Sequence, residues 1–94
     1  MKTLIWSKTF VRAFKRIIKK HLDQSKVIEN ALRLLAEDLF IPQLETHKLK
    51  GKLLGSWACS AGYDLRIIFD FVPGKDKTED DIFLMEIGTH DKVY

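Results

Sequence analysis

The side chains in this 94-residue sequence best suited to moving a proton near neutral pH are its three histidines, His21, His47 and His90. His21 closes a lysine-rich helical stretch and reads as a surface residue. His47 sits in a basic, turn-rich segment, His47-Lys48-Leu49-Lys50-Gly51-Lys52, and His90 follows a Gly-Thr pair just after an apolar run. Loops at strand ends commonly hold functional groups. Two loop histidines near Lys50 and Arg66 would supply the parts of an RNA-cleaving site. One group takes the proton of a ribose 2′-hydroxyl, a cation holds the phosphate charge, and an acid protonates the departing 5′-oxygen. Spacing alone does not bring these residues together, and solvated loop histidines are the simpler reading of it. The histidine spacing fits no metal motif.

Other side chains read more plainly. Cys59 lies within an apolar strand pattern, with nothing nearby to depress its thiol pKa, so a small buried residue is expected there. Arg66 interrupts an apolar strand, where the structural alternative to phosphate binding is a contact with Asp70 on the same face. Tyr94 could stack on a base or cover a sheet edge. Trp6 and Trp57 read as core.

These residues must be held by a small fold. A chain of this length is expected to form one domain over residues 1–94, with a single modest core. Hydrophobic residues make up 46% and charged residues 31%, an ordinary globular composition that excludes disorder as the main state. The longest apolar runs fall far short of the roughly 20 residues of a membrane span. Lys8, Arg12 and Lys15 interrupt the apolar stretch that an export signal would need. A single cysteine excludes an internal disulfide and a multi-cysteine zinc site, and the reducing cytoplasm is the expected compartment.

Charge is distributed unevenly. Residues 1–52 hold twelve Lys/Arg against five Asp/Glu, and residues 53–94 hold four against eight. The first 22 residues carry seven basic side chains and no acid. Such surfaces suit polyanions, nucleic acid above all, although an exposed helix face is often simply charged. The acidic stretch from Asp76 to Asp81 reads as a solvated turn.

The periodicity predicts a strand at Thr3-Leu4-Ile5-Trp6, then a helix capped by Ser7 with Phe10, Val11, Phe14, Ile17 and Ile18 on its inner face. His21 to Gln24 is a break, with Asp23 or Ser25 available as the next cap. The second helix carries Val27, Ile28, Ala31, Leu32, Leu35 and Leu39 inward, and Pro42 ends the helical pattern. Strands follow over Leu53–Ala61, over Leu65–Val72 with a clear period of two, and over Asp81–Gly88. Gly88 to Tyr94 form the tail. The order β-α-α-β-β-β gives a two-layer α+β domain, with both helices on one face of the sheet.

Three segments also carry a resemblance. His47-Lys48-Leu49-Lys50-Gly51 resembles the H-x-L-x-G segment of small toxins of the RelE/ParE superfamily. Trp57 through Phe71 resembles their central hairpin. Gly88-Thr89-His90-Asp91-Lys92-Val93-Tyr94 resembles the G-T-H-x-x-aromatic ending of the YafQ-like branch. The three occur in order, at matching spacing, over nearly the whole chain.

The resemblance implies a RelE-like fold and the toxin of a type II toxin–antitoxin system, an endoribonuclease cutting mRNA in the ribosomal A site. It implies a cognate antitoxin as partner, and operator DNA bound only by the toxin–antitoxin complex. No metal, cofactor or membrane is expected. Carried over residue by residue, His47 and His90 match catalytic histidines, Asp64 an acid that supports proton transfer, and Arg66 the strand arginine that stabilises phosphate charge. Lys48, Lys50 and Lys52 match phosphate-binding lysines, and Tyr94 the C-terminal aromatic. The chain departs from the pattern at Ser60, Leu65 and Glu86, where the branch has histidine, tryptophan and arginine. The alternatives are a ParE-like inhibitor of DNA gyrase, which shares the fold, and a catalytically decayed toxin that binds its antitoxin or regulates its operon.

Overall fold

The computed structural model of the chain describes residues 1–53, 55–62, 64–75 and 79–93. Strand β1 (Leu4–Trp6) leads through Ser7 into helix α1 (Lys8–Lys20), and α2 (Gln24–Glu37) follows after a three-residue break. Strands β2 (His47–Lys48), β3 (Trp57–Ser60), β4 (Leu65–Pro73) and β5 (Asp80–Thr89) come next, and α3 (His90–Val93) closes the chain. They form one sheet in the order β1-β5-β4-β3-β2, antiparallel except for β1 beside β5.

Local chemistry explains the helix starts. The Ser7 hydroxyl accepts the Phe10 N–H at 3.0 Å, the expected cap, and donates to the Met85 carbonyl at 3.3 Å, tying α1 to β5. Such a cap contributes about 1 kcal/mol. Neither Asp23 nor Ser25 caps α2. Asp23 takes the N-cap position with helical backbone angles and makes no capping bond. The carbonyls of His21 and Leu22 accept the N–H groups of Gln24 and Ser25 instead.

Both helices cover one face of the sheet, as the patterning predicts, except that Val27, expected to face inward, is 40% exposed. Phe10 and Ala13 of α1 and Ile28, Leu32 and Leu35 of α2 are buried against Cys59, Ile67, Phe69, Ile82 and Leu84. The six cations of α1 (Lys8, Arg12, Lys15, Arg16, Lys19 and Lys20) are all exposed.

Several boundaries differ from the sequence reading. Helix α2 ends at Glu37, because Asp38 turns extended and its carboxylate accepts the Phe40 N–H at 3.1 Å. Leu39 is buried from the loop, not from the helix. Pro42 opens a 3-10 turn, Pro42–Leu44. The strand expected from Leu53 starts only at Trp57, because Gly51–Leu53 form another 3-10 turn and Gly55 takes φ +97°. Residues 47–48, read as loop, add a fifth strand. Trp6 is 40% exposed, not core. It lies on a three-residue edge strand and covers the rim of α1, its ring edge-on to Phe10 and Phe14 at 5.0 and 5.3 Å. The acidic turn falls partly on residues 76–78, outside the described residues.

The other face of the sheet has a small core of its own. Leu49, Ala58 and Ile68 are buried there, with Leu53, Met85 and Val93 packed against them. Val93 therefore holds α3, where the sequence predicts a tail, onto this second face.

Candidate functional site

Three of the sequence-predicted residues, His47, Arg66 and His90, lie on the second face, and a bulge in β5 sets the approach to the last of them. Phe69 pairs with Leu84, but Ile68 pairs with Glu86, so Met85 is an extra residue. Before the bulge, Ile82 and Leu84 face the helices. After it Ile87 does, and Glu86 and Gly88 turn to the open face. An unbulged strand would point Glu86 and Gly88 into the helical layer.

Arg66 pairs with Ser60 on one side and with Gly88 on the other. His90 lies two residues past Gly88, roughly 7 Å along the chain. Arg66 and His90 therefore share one end of the open face. Gly88 puts no side chain between them. The Arg66 guanidinium uses one Nη1 donor on the Leu65 carbonyl, at 3.0 Å. The alternative contact with Asp70 is not formed. Four strand residues span roughly 13 Å, with Ile68 between them, and the Asp70 Oδ1 is buried without a hydrogen-bond partner. His90 is exposed at the start of α3.

His47 pairs with Ala58 on the same open face, two strand spacings from β4, or roughly 10 Å. Its Nδ1 lies 2.8 Å from the Glu45 carbonyl, so Nδ1–H donates and a neutral ring presents the lone pair of Nε2. Glu45 aims that carbonyl from a left-handed conformation, φ 50° and ψ 40°, which is costly for a residue with a Cβ. Locally held strain of this kind is often found beside functional groups. The Thr46 hydroxyl donates to the Leu39 carbonyl and fixes the loop behind it.

Lys48 points to the helical side, with its Nζ 5.5 Å from the centre of the Trp57 ring. Lys50 is exposed. The Lys52 side chain and Tyr94 lie outside the described residues. Asp64 is exposed in the β3–β4 turn and lines a cleft of about 370 Å³ with Arg16, Lys20, His21 and Thr89. It stands beside the residue preceding His90, at the lip of the sheet and not in the Arg66 row.

Ser60 and Glu86, the two departures on this face, are both engaged. The Ser60 hydroxyl donates to the Gly62 carbonyl at 3.1 Å, and the Glu86 carboxylate accepts the Ile87 N–H at 3.2 Å. Cys59 is fully buried, and burial pushes its thiol up to about 12 against a lesser opposing pull from Arg66. That leaves almost no thiolate near neutral pH. Among the described residues, no three His, Cys, Asp or Glu side chains stand close enough to hold a metal ion together. Among them too, no helix is long and apolar enough to cross a membrane.

What the sequence reading missed is an aromatic row beside the β2–β3 edge. Phe40 (63% exposed), Trp57 and Phe71 form an edge-to-face row there. Phe40 and Trp57 are 17 positions apart, and no sequence spacing announces their contact.

The profile of a family described as "Bacterial toxin of type II toxin-antitoxin system, YafQ" matches residues 2–94. The chain is similar to a metal-bound toxin from Helicobacter pylori, with 27% identity and a TM-score of 0.75 over 100% of both chains. It is similar in fold to YafQ from E. coli strain BL21(DE3), with 18% identity and a TM-score of 0.75 over 100% of this chain and 99% of that one. The toxin fold in the E. coli DinJ-YafQ complex matches with 20% identity and a TM-score of 0.74, again over 100% and 99%. No curated protein matches the sequence.

Proposed function

Since the chain belongs to the YafQ family and is the toxin of a bacterial type II toxin–antitoxin system, we propose that it acts as an endoribonuclease on mRNA at the ribosomal A site. The observation that carries this reading is the β5 bulge, after which Arg66, Gly88 and His90 lie together at one end of an open, His47-bearing face.

In the proposed reaction His47 Nε2, or Asp64 from the lip, takes the proton of the ribose 2′-hydroxyl. The 2′-oxygen forms a bond to phosphorus, and the bond from phosphorus to the 5′-oxygen breaks. Arg66, aided by Lys50, holds the phosphate oxygens as charge builds on them. His90 gives its proton to the leaving 5′-oxygen. The products are a 2′,3′-cyclic phosphate and a 5′-hydroxyl end, so atoms and protons balance without a metal. Lys48 and Lys52 bind flanking phosphates, and Tyr94 orients a base. The roughly 10 Å between His47 and the β4 row makes Asp64 the competing base.

A cognate antitoxin is the proposed protein partner, on the precedent of the DinJ-YafQ complex. Operator DNA is bound only by the toxin–antitoxin complex, and the site of action is the cytoplasm. Glu86, a carboxylate facing the phosphate-binding side where a cation would serve better, favours one second reading: a weakened or decayed toxin.

The test is primer extension of a model mRNA on programmed ribosomes. Parent protein is compared with His47→Ala, His90→Ala and Arg66→Ala, with free RNA alongside. Cuts at the A-site codon that disappear in the variants support the proposal. An intact mRNA with folded, antitoxin-free protein overturns it, and a gyrase supercoiling assay then separates gyrase inhibition from decay.

A further inference from the structure

An aromatic row runs along the helical side of the sheet, around the β2 edge from His47. Phe40 packs edge-on to Trp57, with ring centres 6.0 Å apart at 71°, and Trp57 packs edge-on to Phe71 at 5.5 Å and 79°. A cation lies beside each inner ring. Lys48 Nζ is 5.5 Å from the Trp57 centre, and Lys2 Nζ is 5.9 Å from that of Phe71. The outermost ring, Phe40, is 63% exposed, so most of its surface is open to solvent.

Phe40 is more than a stray surface hydrophobe. Its N–H is held by the Asp38 carboxylate at 3.1 Å, the preceding carbonyl is held by Thr46, and its ring rests on Trp57. A residue whose backbone is held in this way loses less conformational entropy when a ligand covers it. An exposed aromatic at the end of a row whose inner rings carry cations is suited to unpaired nucleotides, because every base offers a π-face and every linkage a negative charge. Acidic peptide segments would use the lysines but gain less from the π-face.

We propose that the Phe40–Trp57–Phe71 row with Lys48 and Lys2 is a stacking platform for an unpaired base of the RNA, outside the cleavage site. The proposal rests on the RNA-cleaving reading above and adds a second subsite to it. Adjacent residues of the edge strand connect the two. His47 faces the open side, and Lys48 faces the platform. An RNA strand that leaves the cleavage site past His47 meets Lys48 as it rounds the β2 edge, and then Phe40. The platform grips the strand by the base, is tolerant of sequence, and discriminates against duplex, whose bases are already stacked.

The experiment measures binding of a labelled, uncleavable 2′-O-methyl oligoribonucleotide of about twelve nucleotides by fluorescence anisotropy. Parent protein, Phe40→Ala, Phe40→Leu and Phe40→Trp are compared, and a thermal melt of each verifies folding. Loss of one stacked base is expected to weaken binding by about tenfold in Phe40→Ala. Phe40→Leu is expected to be nearly as weak, since it keeps apolar area but has no π-face, and Phe40→Trp to bind as tightly as the parent.

Parent-like binding by Phe40→Ala and Phe40→Leu, with ribosomal cleavage intact, overturns the platform and leaves the cleavage reading standing. Unchanged RNA binding together with weaker antitoxin binding by Phe40→Ala overturns it in favour of a protein-docking surface. A parent that neither binds the oligonucleotide nor cuts mRNA overturns both readings.

Discussion

Alkaline pH is expected to destabilise this protein in part through Cys59. Burial holds its thiol near 12 in the folded chain, against 9.0 for the same group in water. The folded state thus keeps a proton that the unfolded state releases, and stability falls as pH rises above 9.0. The contribution is fully present below about pH 9 and is gone above about pH 12. At about pH 10.5 some 1.5 units of that interval have been crossed, which at 1.36 kcal/mol per unit is a loss of about 2 kcal/mol. Domains of this size have total stabilities of about 5–15 kcal/mol, so the loss is readily measured.

The assay is urea unfolding at about pH 8 and about pH 10.5, for the parent and for Cys59→Ala. With a slope of about 1–3 kcal/mol per molar urea, the parent's midpoint should fall by about 0.7–2 M more than that of the variant. The alanine leaves a small cavity, but that cost is the same at both pH values and cancels in the comparison. Lysine and tyrosine titration is common to both proteins and cancels too. Parallel falls in the two midpoints would refute the argument, as would thiolate absorbance appearing in the folded protein near pH 9. Either result would mean that Cys59 is solvated and would reopen it as a nucleophile.

Two further outcomes follow from the geometry. Gly62 has φ +106°, and a Cβ there would press into Val27 Cγ1. Gly62→Ala should therefore cost about 1–3 kcal/mol and lower the melting temperature by several degrees or more, measured by circular dichroism. If Lys50 and Arg66 each neutralise an RNA phosphate, the slope of log affinity against log salt should become shallower by about 0.7 on replacing either with alanine. An unchanged slope in filter-binding titrations would remove that residue from the phosphate-binding set.

Much of this arrangement was legible in the sequence, because it depends on local chemistry. Ser7 caps α1 because its hydroxyl reaches an orphan N–H one turn on, whatever the rest of the chain does. The inner faces of α1 and α2 follow from spacing near 3.6 residues, and the alternation of Leu65, Ile67 and Phe69 with Arg66 and Asp70 fixes the two faces of β4. The motifs around His47 and His90 carried the family, which the match over residues 2–94 shows.

Tertiary structure decided what depends on contacts between distant residues. The run Ile82-Phe83-Leu84-Met85 has no alternation, so nothing in it tells which face each residue takes. Pairing with β4 inserts Met85 as a bulge and turns Glu86 and Gly88 to the open face. The two-residue strand at His47 is too short to show a period and exists because β3 supplies its hydrogen-bonding partner. Residues 90–93 become a helix on the second face, where Val93 finds apolar partners in Leu49, Ala58 and Ile68. Phe40 meets Trp57 only because the loop after α2 is pinned at Asp38 and Thr46. Local propensity is written in neighbouring residues. Strand register and cross-chain packing are energies of pairs, and a pair is formed only when the fold brings its members together.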